Sequence, residues 1–355
     1  MAKVTEQPVR LGVAGFGRLA ETYYLPAFRS LDGIRVKAIA DPLPARRALA
    51  TALVPHVSTY SHHEAMLERE ALDALLVASP PSTHLRIWNN ARALMVPVFM
   101  EKPFALDGEL AQLRDVAGDA SLMVNFNRRF WPPYQRLRTL LRTASIGAPE
   151  EADFVLHVDL RPWMSVTTHR LSPAEGGVLY DLGSQVLDLV HHIVVQEPRE
   201  ILAETWSERW DADHVRLRLA FPSGLIVRCS LAYGTRNRET VLIRGTRGRL
   251  HLHDPNMAVH LTPERLRGPR WADRCTDAAV FAYRAIRRGR SMGRHSIRAS
   301  LEAFVRCLRA NARFSPGFDD AVTNARWLEA ASLSVAERRA VPVETVSGHT
   351  RDGGE

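Results

Sequence analysis

Short apolar runs with stretches of helical periodicity between them fill the first third of the chain and restrict its fold most. The runs are Val9–Ala14, Ile34–Ala40, Ala74–Ala78, Val96–Met100 and Leu122–Phe126, with a weaker one at His56–Tyr60. Helical patterns fall between them at 18–30, 44–53, 62–69, 84–94 and 107–117. Apolar strands separated by helices predict a parallel sheet covered on both faces. Right-handed crossovers then give a doubly wound domain, with ligands held at the carboxyl ends of its strands.

Beyond residue 150 the period changes. Val215, Leu217, Leu219 and Phe221 alternate with Arg216, Arg218 and Ala220, the pattern of a half-buried strand. Leu225–Leu231 and Glu239–Ile243 continue it, and Gly245-Thr246-Arg247-Gly248 reads as a hairpin turn into Arg249–His253. The expected fold class is therefore α/β, a doubly wound parallel sheet followed by an α+β domain with an open, mostly antiparallel sheet. Helical periodicity returns at Asn324–Ala340.

No apolar run reaches the length of a membrane span, and Met1–Gln7 lacks a signal-like apolar core. Three scattered cysteines, Cys229, Cys275 and Cys307, cannot build a disulfide framework, so a cytoplasmic setting is expected. The net charge of +8 rests on 47 basic residues, of which only Lys3, Lys37 and Lys102 are lysines. Arginine does not release its proton near neutral pH, whereas a desolvated lysine does. A lysine inside a motif of this chain is thus a candidate for chemistry.

The first motif is Gly15-Phe16-Gly17-Arg18-Leu19-Ala20, a G-x-G-x-x-A that closes the first strand and opens a helix. Glycines there let backbone N–H groups approach a pyrophosphate at a helix N-terminus. Asp41, 21 residues past Ala20 and at the end of the second strand, is placed to bond adenosine ribose hydroxyls. The acid favours NAD, while Arg46 and Arg47 leave NADP open. Ser79-Pro80-Pro81-Ser82-Thr83-His84 forms a stiff crest after the fourth run, and Glu101-Lys102-Pro103 ends the fifth. Gly15, Phe16, Gly17, Arg18, Leu19, Asp41, Arg46, Ser79, Pro80, His84, Glu101 and Lys102 are the expected cofactor residues.

The helix Gly177–Val195 carries Leu179, Leu182, Val186, Leu189 and Ile193 on a packing stripe. Asp181, Gln185, Asp188 and His192 fall on another stripe, after the opening Gly176-Gly177. The G-x-G-x-x-A turn, the Pro-Pro-Ser-Thr-His crest, Glu101-Lys102-Pro103 and the Gly-Gly…Asp181-x-Gly183-x-x-x-x-Asp188 helix, in this order, resemble the Gfo/Idh/MocA family of nicotinamide-dependent sugar and inositol oxidoreductases. The resemblance covers about residues 8–343, and Phe126-Asn127-Arg128-Arg129-Phe130 is similar to its inositol dehydrogenase-like branch.

The resemblance implies a Rossmann domain over residues 1–127 and a substrate and oligomerisation domain over 128–343, and residues 344–355 read as a frayed tail. It implies a sugar or polyol substrate, and an exposed sheet face suited to a homodimer or homotetramer. Family active sites combine the lysine of Glu-Lys-Pro with an Asp and a His one helical turn apart. Lys102 and Asp181 match, whereas Gln185 stands where many members carry His. Glutamine can orient a hydroxyl but cannot accept its proton. The expected catalytic set is therefore Lys102 for proton transfer, supported by Asp181 and Gln185. Tyr24, Asn127, Arg128 and Trp163 join Asp181 and Gln185 as candidate substrate residues.

Two rival readings remain open at this point. A dinucleotide-binding regulator without turnover would keep the cofactor site and tolerate Gln185. Redox-neutral chemistry on tightly held NAD would never accumulate reduced cofactor. His251-x-His253-Asp254 lacks an evident third ligand, and no metal site is expected. Ten arginines in residues 263–298 suit solvated helical faces better than nucleic acid, for which no reading element is evident.

Overall fold

The computed structural model describes residues 7–113, 116, 121–164, 169–172, 175–234, 236–253, 258–263 and 292–346. The chain divides into two compact units, Met1–Asn127 with Ser291–Thr323, and Arg128–Arg290 with Asn324–Glu355. It enters the first unit twice, a division that a single boundary after residue 127 does not describe. The tail 347–355 and most of the arginine-rich segment lie outside the described residues.

The first unit holds β1 (Val9–Ala14), β2 (Ile34–Ala40), β3 (Ser58–Tyr60), β4 (Ala74–Val77), β5 (Val98–Met100) and β6 (Leu122–Val124). They form one sheet in the order β3-β2-β1-β4-β5-β6, with every neighbouring pair parallel. The order reverses between β1 and β4, the switch point at which such sheets bind ligands. Residues of β4, β5 and β6 have almost no exposed surface, which is why these strands read as unbroken apolar runs.

Register settles where the strand ends fall. Ala14 pairs with Ala40 and Val77, Val77 with Met100, and Met100 with Val124. These residues form one row across the sheet. Gly15, Asp41, Ala78, Glu101 and Asn125 therefore all step off the same edge, the carboxyl edge.

Two helical expectations differ from the structure. The stretch 18–30 passes through a π-helix at Ala20–Tyr24 before the α-helix Leu25–Ser30. Pro26 has no N–H to close a regular turn there, so the wider i→i+5 bonding of the preceding turn is not interrupted. Within 107–117 the described structure is a 3₁₀ turn, Leu110–Leu113. The helix Met292–Arg309, not read from the sequence, sends Phe304 against Phe99 and Phe314 at 5.4 and 4.8 Å between ring centroids.

The second unit is built on β7 (Pro149–Asp159), β8 (Glu200–Trp206), β9 (His214–Ala220), β10 (Ile226–Gly234), β11 (Arg238–Gly245), β12 (Gly248–His253), β13 (Ala258–Pro263) and β14 (Val341–Pro342). The order is β13-β12-β11-β7-β10-β9-β8-β14, parallel only between β7 and β10. The hairpin closes where Gly245 pairs with Gly248. One face buries Ala152, Phe154, Leu156, Val215, Leu217, Leu219, Val227, Cys229 and Leu231 against the helix Gly177–Val194. The other face is open and charged, with Arg228 on Glu151 at 3.0 Å and Arg244 on Asp153 at 2.9 Å. The helix read as Asn324–Ala340 runs from Phe318 to Glu337. No helix among the described residues is long and apolar enough to cross a membrane.

Candidate functional site

At the carboxyl edge of the first sheet the chain turns from β1 through Gly15, whose φ is 90°. A Cβ at Gly15 would lie 2.7 Å from the Ser79 nitrogen and 2.8 Å from the Ala78 carbonyl. The turn after β1 therefore runs directly against the start of the crest after β4, and only glycine fits. Gly17 differs: a Cβ there would meet nothing within 4 Å. The side of the turn that should take a pyrophosphate is open. Phe16 is fully buried and contributes through its backbone, while Arg18 and Leu19 are half-buried.

Asp41 is 6% exposed, and both of its oxygens are engaged by backbone N–H groups. Phe16 donates to Oδ2 at 2.8 Å and Leu43 to Oδ1 at 2.9 Å. The carboxylate is thus fixed beside the Gly15 turn with lone pairs to spare for further donors. Arg46 pairs with Glu21 at 3.1 Å, and Arg47 donates to the Asp41 and Pro42 carbonyls at 2.8 and 2.9 Å. Neither arginine is presented as a phosphate clamp.

Crest and strand end are internally braced. The Ser79 and Thr83 hydroxyls share a hydrogen bond of 2.6 Å, and Thr83 Oγ1 also donates to the Pro80 carbonyl at 2.8 Å. Pro80 is exposed, whereas His84 has no exposed surface and faces two main-chain carbonyls. Lys102 is half-buried and the Lys102–Pro103 peptide is cis. Glu101, 7% exposed, accepts from the Tyr24 hydroxyl and, at 2.8 Å, from Asn125 Nδ2. Burial raises the Glu101 carboxyl above its ordinary range, although Tyr24, Asn125 and the charge and backbone N–H of Lys102 all favour its ionised form. Burial and the neighbouring Glu101 push the Tyr24 phenol well above its usual value, so it stays the donor.

Tyr24 has no exposed surface and supports Glu101 from inside the unit, a different place from the substrate pocket expected of it. Asn127 donates to Ser296 at 3.2 Å, within the same unit. Gly15, Phe16, Gly17, Asp41, Ser79, Pro80, Glu101 and Lys102 come together along one sheet edge. Asn125, which completes the Glu101 cluster, was not anticipated, although it stands directly after β6.

In the second unit the helix Gly177–Val194 opens at Gly176, whose φ is 81° and whose Cβ would lie 2.4 Å from that of Tyr180. Asp181 follows in the second turn. Its Oδ2 takes Arg170 at 3.1 Å and the Tyr233 hydroxyl at 2.8 Å. Burial and the Asp181 charge hold the Tyr233 phenol well above its ordinary range, so it donates. Gln185, one turn on, is half-buried, and its Oε1 is buried with no hydrogen-bond partner among the described residues. Arg128 forks onto Glu239 at 2.8 and 3.1 Å, with its guanidinium 5.1 Å from the Trp131 ring. Tyr134 donates to the same carboxylate at 2.5 Å.

The polar stripe of this helix is not a wet face. Asp188 is 1% exposed and receives Arg129 through Nε at 2.9 Å and Nη2 at 2.5 Å. Asp181, Gln185 and Arg128 lie in this second unit, whereas Trp163 falls in the short helix Arg161–Met164 with its side chain outside the described residues. Arg170 and Tyr233 went unanticipated. Tyr233 continues the inward series Val227, Cys229, Leu231 of β10, and that series was the available signal. His253 and Asp254 lie outside the described side chains, and no metal cluster occurs among the described residues.

Residues 9–123 match the oxidoreductase family with an NAD-binding Rossmann fold, and residues 134–251 match the GFO/IDH/MocA C-terminal domain. Inositol 2-dehydrogenase of Rhizobium meliloti is 25% identical over 348 residues, covering 94% of this chain and 99% of that one. Myo-inositol 2-dehydrogenase of Thermotoga maritima is 25% identical, covering 96% of this chain and all of that one. Scyllo-inositol dehydrogenase of Lactobacillus casei, solved with NAD(H) and scyllo-inositol, superposes with a TM-score of 0.77 at 17% identity over 95% of this chain and 100% of that one. The matched residues span both units, and the chain belongs to the Gfo/Idh/MocA family of oxidoreductases, with an NAD-binding Rossmann domain.

Proposed function

We propose that this protein is an NAD-dependent dehydrogenase or reductase acting on a CH–OH or keto group of inositol, a sugar or a related polyol, with Lys102 as the proton-transfer residue. The observation that carries the reading is the register row, which sets Lys102 on the same sheet edge as the Gly15 turn and Asp41. The nicotinamide group would supply the hydride chemistry. Gly15 and Gly17 make room for the pyrophosphate, and the ribose hydroxyls have Asp41. A buried, fixed carboxylate repels a 2′-phosphate, which favours NAD over NADP.

Lys102 exchanges the proton of the reacting hydroxyl, a task that general acid–base catalysis serves by roughly 10²–10⁴-fold. Gln185, whose buried Oε1 has no hydrogen-bond partner among the described residues, is assigned to orient a substrate hydroxyl without taking its proton. Asp181, held by Arg170 and Tyr233, presents a fixed carboxylate for a second hydroxyl. Relatives named as inositol dehydrogenases support inositol as the first substrate to assay. The open face of the second sheet supports a homodimer or homotetramer, to be checked by sedimentation.

The test is Lys102→Met assayed with myo-inositol and a panel of polyols and ketosugars at the nicotinamide absorbance. Loss of turnover by about 10²–10⁴-fold with NAD affinity kept is the expected result. Near wild-type turnover would overturn the assignment. Tight NAD binding by the wild-type chain with no turnover on the whole panel would favour the regulator, which the Gln185 departure makes worth testing.

A further inference from the structure

The proposed chemistry leaves one fully buried titratable group at the sheet edge without a task. His84 opens the helix His84–Ala93 and has no exposed surface. Its Nδ1 lies 2.7 Å from the Pro103 carbonyl oxygen and its Nε2 2.9 Å from the Ser79 carbonyl oxygen. A ring enclosed in this way does not face a cofactor, which is where the sequence placed it. It faces two loops, one leaving β4 and the other leaving the neighbouring β5.

What the second loop lacks explains why the contact matters. The ladder around β5 ends with Glu101 N–H on the Val77 carbonyl at 2.9 Å and Asn125 N–H on the Met100 carbonyl at 2.7 Å. Lys102 and Pro103 lie beyond the strand, and proline has no N–H with which to prolong the ladder. The Lys102 backbone N–H favours the ionised form of the Glu101 carboxyl. The Pro103 carbonyl, the next main-chain group past the lysine, is held by His84.

We propose that His84 is a positioning residue for Lys102, clipping the Glu101–Pro103 strand end to the Ser79 crest through its two ring nitrogens. The proposal rests on the reading of Lys102 as the proton-transfer group. Its expected size follows from geometry, since misplacing a reacting group by about 1 Å costs on the order of 10²-fold in rate. Both partners are carbonyl acceptors, so the imidazolium donates to both, while the neutral Nδ1–H tautomer keeps the Pro103 bond alone.

Side chains that keep only half of the clip provide the test. An asparagine amide can set its N–H where Nδ1 stands, and a glutamine amide where Nε2 stands. His84→Asn should therefore keep the Pro103 bond, and His84→Gln only the Ser79 bond. In myo-inositol oxidation with NAD, we expect kcat to fall about 10²-fold in His84→Ala and His84→Gln, with KM for NAD moving less than about threefold and most of the loss restored in His84→Asn. A second readout needs no turnover and no particular substrate. The chain has only three lysines, so ¹³C-methylated protein gives few lysine resonances, and Lys102→Met identifies the one at issue. That resonance should move in His84→Ala and His84→Gln and stay in place in His84→Asn, while those of Lys3 and Lys37 do not move.

Unchanged kcat and an unmoved Lys102 resonance in His84→Ala would overturn the proposal. So would equal losses in the Asn and Gln variants that follow their melting temperatures. If His84→Ala does not fold, the Asn and Gln pair decides alone. Full turnover in Lys102→Met instead sinks the proton-transfer reading beneath it, which separates the two failures.

Discussion

Buried acids are handled in opposite ways by the two units. In the second, three acids are met by an arginine fork or ion pair: Asp188 by Arg129, Asp181 by Arg170, Glu239 by Arg128. In the first, Glu101 is surrounded by neutral donors from Tyr24 and Asn125, and the cation beside it is a lysine. A guanidinium keeps its charge at any working pH, so its pairs act as fixed structure. An amine can give its proton away. The chain spends 44 of its 47 basic residues as arginine, and one of its three lysines stands at the carboxyl edge of the parallel sheet.

The sharpest way to break that contrast is Lys102→Arg, which keeps the positive charge but does not release a proton near neutral pH. Turnover should fall by roughly 10²–10⁴-fold, as far as in Lys102→Met, while NAD binding measured by fluorescence is retained. An arginine variant as active as wild type would mean that charge alone suffices at this edge. The second-largest effect is expected from Arg129→Met. It strands Asp188, which is 1% exposed, and removing one partner of a buried pair costs about 3–5 kcal/mol. The double variant Arg129→Met, Asp188→Leu should recover most of that loss in urea unfolding, because apolar replacements of a buried pair are often neutral.

Most of the first unit was legible because its strands are buried on both faces and its turns carry special residues. Val9–Ala14 and Ile34–Ala40 fall at the expected bounds, and Gly15 and Asp41 adjoin as their spacing implied. The second unit was less legible. β7 joins the two halves of its sheet, yet Glu150, Glu151 and Asp153 make it read as a polar segment. Glu151 and Asp153 are compensated by Arg228 and Arg244 from neighbouring strands, and such partners exist only once the strands are paired. Arg170 and Tyr233 were hidden for the same reason, being 11 and 52 residues from Asp181. His84 and Tyr24 were assigned to ligands because the motif marks their neighbourhood without marking which way a side chain turns.

Glu101 offers a smaller test with a definite sign. Burial raises its carboxyl, so the folded state holds that proton more tightly than the unfolded chain does. Stability from this group is highest at low pH. It declines as pH rises through the unfolded value and stays reduced above the folded one. Glu101→Gln removes the charge and keeps an oxygen for Tyr24 and Asn125. Its melting temperature should exceed wild type at neutral pH, with the gap closing in acid. A variant less stable than wild type at neutral pH would show that the ionised carboxylate is needed there, as Asp188 is needed by Arg129.

Asp213 sharpens the comparison from a third direction, since this acid of the second unit is stabilised chiefly by backbone. It has no exposed surface and accepts N–H bonds from Glu208 and Arg209 at 2.8 Å and Trp210 at 2.9 Å. Burial works against its charge, but those N–H groups and the His214 ring outweigh it and bring the carboxyl down to about 2. The sign is opposite to that of Glu101. The unfolded value is near the ordinary carboxylate range of about 3.9, so the stabilisation is present above that pH and is lost as pH falls toward about 2. Asp213→Asn, which loses one of the two acceptor oxygens, should lower stability modestly at neutral pH and flatten the acid limb between those values. An acid limb left unchanged by the substitution would mean that the loop 207–213 is held by something other than the Asp213 carboxylate.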